Sequence, residues 1–147
     1  MKANIDLQTA KKRVLVVDDE ADYLYFLSFN LEARGTYQVE VVNKAEEALS
    51  VAQKFRPDII LLDLLMPKMN GAQVALQIKR DRNLSKTPIV FMTGSNLEEI
   101  EQAKLLALQS ESSKTPLIVK PATLDMILQC IDKILAEKNF GKRPQLF

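Results

Sequence analysis

The sequence predicts an α/β protein, a doubly wound (βα)5 arrangement with a parallel sheet and helices on both of its faces. Three observations predict it. Short apolar runs alternate five times with helix-length amphipathic stretches. The best-defined runs, Val14–Val17 and Ile59–Leu62, are continuously apolar, which suits strands buried on both sides. The connections are short and no repeat or low-complexity segment interrupts the alternation.

Each element has a local reason. After a polar arm over residues 1–12, Arg13 leads into Val14-Leu15-Val16-Val17, a β-branched run that reads as the first strand. It ends in three adjacent acids, Asp18-Asp19-Glu20. Leu24, Leu27 and Leu31 then recur at helical spacing up to Gly35, a natural helix stop. The aromatics Tyr23, Tyr25, Phe26 and Phe29 on that helix are expected to pack in the core. Val39–Val42 forms a second strand, and Asn43 with Glu46 three residues on predicts a capping box for the next helix. That helix ends near Arg56-Pro57.

The third strand, Asp58–Leu62, runs into Asp63, and Met66-Pro67 breaks the regular structure before a helix over Gly71–Arg82. Pro88–Met92 is the fourth strand and ends in Thr93-Gly94-Ser95. A helix over Asn96–Leu108 carries Glu98 and Glu99 in its first turn, favourable to the helix dipole. A polar, serine-rich loop over Gln109–Thr115 precedes the fifth strand, Leu117-Ile118-Val119, which ends in Lys120-Pro121. An amphipathic helix through Leu124, Ile127, Leu128, Ile131 and Leu135 closes the domain, here bounded as residues 13–138. An irregular tail is expected over residues 139–147.

Composition narrows the chemistry. Twenty Lys and Arg against nineteen Asp and Glu recommend neither nucleic acid nor an anionic membrane as partner. No apolar run is long enough to span a bilayer, and the first residues lack a signal-peptide core. The single Cys130 favours a reducing, cytoplasmic setting. Histidine is absent, which excludes Ser-His-Asp catalysis, His-ligated zinc and a phosphohistidine on this chain. Phosphoryl chemistry here has to run through carboxylates.

In a parallel sheet the C-terminal ends of the strands share one edge, where ligands bind. That edge receives Asp18 and Asp19, Asp63, Thr93 and Lys120 from four different strands. Two like charges about 4 Å apart cost roughly 4 kcal/mol at an effective dielectric near 20. A divalent cation offsets that repulsion, and hard oxygen ligands with open positions suit Mg²⁺. A metal, a free carboxylate, a hydroxyl and an ammonium make a phosphoryl-transfer set. Asp63 alone could equally be a helix cap; the five residues together are the signal.

With these residues in place, the chain resembles the receiver domain of two-component response regulators, of the single-domain chemotaxis type. The matching motifs are Val17-Asp18-Asp19-Glu20, Leu62-Asp63-Leu64-Leu65-Met66-Pro67 with Asn70-Gly71, Met92-Thr93-Gly94 and Val119-Lys120-Pro121. The resemblance implies a flavodoxin-like fold with strand order 2-1-3-4-5. It implies that Asp63 accepts a phosphoryl group from a sensor histidine kinase or phosphotransfer protein. It further implies that Mg²⁺ is held by Asp18, Asp19, Asp63 and the Leu65 backbone carbonyl. Thr93 and Lys120 would bind the phosphoryl oxygens, and the Lys120-Pro121 bond would be cis. Such a protein is a phosphorylation-controlled switch for an output protein rather than an enzyme, and dimerisation on phosphorylation is left open.

The chain departs from the family pattern at three places. Leu117 stands where an aromatic switch residue is common, so coupling to Thr93 would differ. The Gln109–Thr115 loop reads as a surface insertion. Leu65 offers no polar side chain to orient a water, which predicts slow self-dephosphorylation. The rival readings are a receiver-like module that is never phosphorylated, a receiver fragment of a larger regulator, and a haloacid-dehalogenase-type phosphatase. The last requires Asp-x-Asp after the first strand, where this chain has Asp18-Asp19-Glu20, and a cap domain. The reading favoured is a stand-alone receiver, with only nine residues following Lys138.

Overall fold

Alternation within each strand organises the molecule. A computed structural model of the chain describes residues 10–94, 96–109 and 116–141. Its elements are β1 (Lys12–Val17), α1 (Ala21–Ala33), β2 (Tyr37–Val42), α2 (Ala48–Phe55) and β3 (Ile59–Asp63). They continue as α3 (Gly71–Arg80), β4 (Ile89–Thr93), α4 (Leu97–Gln109), β5 (Leu117–Val119) and α5 (Leu124–Gly141). The strands form one parallel sheet in the order β2-β1-β3-β4-β5, the flavodoxin-like order expected.

Side chains of successive strand residues point to opposite faces. Leu15, Val17, Ile60, Leu62, Ile89 and Phe91 therefore pack with Ala52, Phe55, Val74 and Ile78 of α2 and α3. Val14, Val16, Ile59, Leu61, Val90 and Met92 pack with Leu24, Leu27, Leu31, Ile127 and Ile131 of α1 and α5. Both faces are covered, so the central strands had to be apolar at every position. Leu117, at the switch position, is half-buried against the α2/α3-side core.

Several local expectations are corrected. Lys12 already belongs to β1, so the sheet begins inside the expected arm; the arm's residues 1–9 lie outside the described residues. Asn43 and Glu46 form no capping box. The chain enters through a 3₁₀ turn, Ala45–Glu47, flanked by Lys44 without a side-chain cap, and α2 starts only at Ala48. The capping box sits instead at α3, where Asn70 accepts from the Gln73 amide at 2.9 Å and Gln73 accepts from the Asn70 amide at 2.9 Å. Helix α3 ends at Arg80, two residues early, and α5 runs on to Gly141 where an irregular tail was expected. Residues 142–147 of that tail, and 110–115 of the serine-rich loop, lie outside the described residues.

The aromatics of α1 are the largest correction. Tyr25, Phe26 and Phe29 are 73%, 43% and 62% exposed, and only Tyr23 packs partly against the core. Leu24, Leu27 and Leu31 occupy the inward stripe, so residues between them in helical phase must face out.

Candidate functional site

The sheet ladder extends one residue past the strands and fixes the backbone of the site. The Asp18 amide donates to the Val42 carbonyl at 3.0 Å, Leu64 to Met92 at 3.0 Å, and Lys120 to Thr93 at 2.7 Å. In register, Val17 lies beside Leu62, Asp63 beside Met92 and Thr93 beside Val119. Asp18, Asp63, Thr93 and Lys120 are thus delivered to one edge by four adjacent strands. Gly71 closes the loop behind Asp63. A Cβ there would lie 2.4 Å from the Asp63 carbonyl oxygen, so only glycine lets α3 begin this close to β3.

Carboxylate oxygens of Asp18, Asp19 and Asp63 all lie within 4.8 Å of one another. The Lys120 ammonium is 2.9 Å from Asp18, 3.4 Å from Glu20 and 3.9 Å from Asp63. Asp18 and Asp63 are buried, whereas Asp19 is exposed at the mouth. The Glu20 amide donates to Asp18 at 2.9 Å and the Leu65 amide to Asp63 at 3.4 Å. The Lys120-Pro121 bond is cis, as the resemblance implied.

The electrostatics follow from crowding. Burial, then the neighbouring Asp18 charge, pushes the Asp63 carboxyl up to about 7, against the pull of Lys120. Burial also raises Asp18, although Lys120 and the Glu20 amide oppose it. For Lys120, burial disfavours the ammonium, but Asp18, Asp63 and Glu20 outweigh it and hold the pKa above the ordinary lysine value. One cation therefore faces more acid than it can neutralise. That is the donor set of a hard divalent ion, and the residues fit Mg²⁺ on oxygen chemistry and spacing.

Thr93 reaches the same edge but turns elsewhere. It is fully buried, and its hydroxyl points at the Glu99 carbonyl in α4 at 3.5 Å rather than at Asp63. Asn96 caps α4 by accepting from the Glu99 amide at 2.7 Å. The Glu99 carboxylate folds over Gly94, where a Cβ would meet it at 1.8 Å. A cavity of about 500 Å³ opens here, lined in part by Leu65, Met66, Asn70, Asn96 and Glu99. Sequence reasoning treated Glu99 only as a dipole partner, Glu20 only as part of an acidic run and Tyr23 only as a core aromatic, and gave Glu20 and Tyr23 no role in the site. Their signal was position: Glu20 adjoins the paired acids, and Tyr23 lies one turn further along α1.

The flavodoxin-like strand order and the acid–lysine cluster at the strand ends define a receiver-type signalling domain. Residues 14–132 match the model described as "Response regulator receiver domain", and the chain belongs to that family. Among relatives, it is 36% identical over 104 residues to the alkaline phosphatase synthesis transcriptional regulatory protein PhoP of Bacillus subtilis, covering 71% of this chain and 42% of PhoP. It is 28% identical to Protein PilH of Pseudomonas aeruginosa, covering 84% of this chain and 98% of PilH. The chain thus spans less than half the length of several curated relatives, including a probable cyclic di-GMP phosphodiesterase of Vibrio cholerae at 27% of its length.

Solved structures agree. The CheY-like receiver domain protein of Methanospirillum hungatei superposes with a TM-score of 0.76 at 26% identity, covering 90% of this chain and 99% of its own. Chemotaxis protein CheY4 of Vibrio cholerae gives 0.72 at 27% identity, covering 85% and 99%. Receiver domains bind Mg²⁺ in an acidic pocket and serve signalling. Among the described residues no helix is long and apolar enough to cross a membrane.

Proposed function

We propose that this chain is a phosphorylation-controlled switch in which Asp63 accepts a phosphoryl group from the phosphohistidine of a sensor kinase or phosphotransfer protein. The observation that carries this is the convergence of three carboxylates within 4.8 Å, with the Lys120 ammonium 3.9 Å from Asp63. Asp18, Asp19, Asp63 and the Leu65 carbonyl would hold Mg²⁺. Bound there, the ion neutralises charge on the phosphoryl oxygens. An Asp63 oxygen forms the new P–O bond as the P–N bond breaks, and the electron pair leaves on the donor's imidazole nitrogen. Lys120 meets the growing negative charge on the phosphoryl oxygens, and Thr93 rotates from the Glu99 carbonyl to donate to one of them.

That rotation gives the site a readout, because it releases a contact between β4 and α4. A partner that prefers one arrangement of α4 then senses phosphorylation. The exposed Tyr25, Phe26 and Phe29 supply an apolar surface for the phosphodonor, and a cavity of about 380 Å³ beside Tyr25 adds relief to it. The lone, half-buried Cys130 is in keeping with a cytoplasmic protein.

The test is incubation with Mg²⁺ and acetyl phosphate, read by intact mass for wild type and Asp63→Asn. A Mg²⁺-dependent phosphate adduct absent from the variant is expected. No adduct and no Mg²⁺ binding would favour a phosphorylation-independent interaction module.

A further inference from the structure

We propose that Tyr23 is a positioning residue of the phosphoryl-transfer site: its ring face, not its hydroxyl, holds the Lys120 ammonium within reach of an oxygen on Asp63. The inference rests on the receiver reading and names a residue outside the acid, threonine and lysine set. The Lys120 Nζ lies 4.8 Å from the Tyr23 ring centroid, with the carboxylates of Asp18, Glu20 and Asp63 gathered at 2.9, 3.4 and 3.9 Å. An ammonium over an aromatic face is attracted by the negative face of the ring.

The problem the ring solves is the freedom of lysine. Its ammonium sits on a flexible four-carbon stem, and three acids compete for it. Glu20, exposed at 67%, would draw it toward solvent and away from Asp63. The ring limits that swing. Because the attraction persists anywhere within about 6 Å of the centroid, the ammonium can advance from Asp18 toward Asp63 without leaving the face.

The ring is itself held. It stacks on Phe26 at 6.4 Å between centroids and 23° between planes, and it packs against the α1/α5-side core. Helix α1 starts directly after the acids, and the Leu24 amide donates to the Glu20 carbonyl, so Tyr23 is tied to the segment that carries Asp18 and Asp19. The Tyr23 hydroxyl is buried and has no hydrogen-bond partner. A hydroxyl left unpartnered is not what the position requires of the residue. The aromatic face is.

Three variants of the full chain test this: Tyr23→Phe, Tyr23→Leu, and Tyr23→Met as a second ring-free side chain should Leu fail to fold. The rate of adduct formation with acetyl phosphate at saturating Mg²⁺ is read by intact mass. In the unphosphorylated protein, the Lys120 ε-methylene protons are read by NMR for the upfield shift that a ring face imposes. Tyr23→Phe is expected to keep both the shift and a rate within about twofold of wild type, whereas the ring-free variants lose the shift and slow by about tenfold. A wild-type rate in a folded ring-free variant would overturn the positioning role and leave the receiver reading intact. So would a Tyr23→Phe as slow as Tyr23→Leu, by assigning the effect to the hydroxyl. An upfield shift missing from wild type would overturn the contact itself. No adduct in wild type would overturn both readings.

Discussion

Replacing Asp63 by Asn should stabilise the metal-free protein at neutral and alkaline pH and leave it nearly unchanged in acid. The Asp63 carboxyl is raised from its ordinary 3.8 to about 7, first by burial and then by the Asp18 charge. Between those values the folded state keeps a proton that the unfolded chain has released, so stability falls as pH rises through this window. The gap of about 3 pH units corresponds to about 4 kcal/mol, fully expressed above pH 7 and absent below about pH 4. This is a ceiling, because Asp18 and Asp63 titrate as a pair. The attraction of Lys120 is already contained in the raised value. Asparagine is nearly isosteric and uncharged throughout. Urea unfolding in the presence of a chelator, near pH 5 and near pH 8, should show the advantage of Asp63→Asn growing by up to about 2.5 kcal/mol at the higher pH. Adding Mg²⁺ should then stabilise wild type much more than the variant. An advantage equal at both pH values would refute the claim that crowding of buried acids sets the energetics of this site.

Two further outcomes follow from the loops around Asp63. Gly71→Ala forces a methyl within 2.4 Å of a backbone oxygen and 2.8 Å of the Leu64 Cα, neither of which can turn aside. It should cost at least about 2 kcal/mol in urea unfolding, and a cost below about 0.5 kcal/mol would refute the close packing of β3 on α3. Leu65 is half-buried, its amide donates to Asp63, and its side chain lines a neighbouring cavity without a polar group. The phosphorylated protein should therefore hydrolyse slowly. Leu65→Asn should hasten loss of the adduct by about 3- to 10-fold in a time course of intact mass; an unchanged rate would show that Leu65 does not limit water.

The sheet was legible because its central strands carry short runs, Val14–Val17, Ile59–Leu62 and Ile89–Met92, that are apolar at every position, a pattern that suits a two-sided core. Asp18, Asp19, Asp63, Thr93 and Lys120 could be placed at one edge because each follows such a run directly. The α1 aromatics were misread because residue type was weighed above helical phase: Leu24, Leu27 and Leu31 already fill the inward stripe. Asn43 has the right chemistry for a cap, but the chain there forms a tight 3₁₀ turn first, and the box went to Asn70 and Gln73 at a tight α3 entry.

From the sequence alone came the parallel α/β architecture and the chemical types gathered at its functional edge, since strand period and strand ends are local properties. Only the tertiary structure decided that Lys120 rests nearer Asp18 than Asp63, that Thr93 turns toward Glu99, and that a tyrosine from α1 lies under the ammonium. Those choices depend on how side chains from distant segments share one crowded space, and no spacing along the chain encodes them.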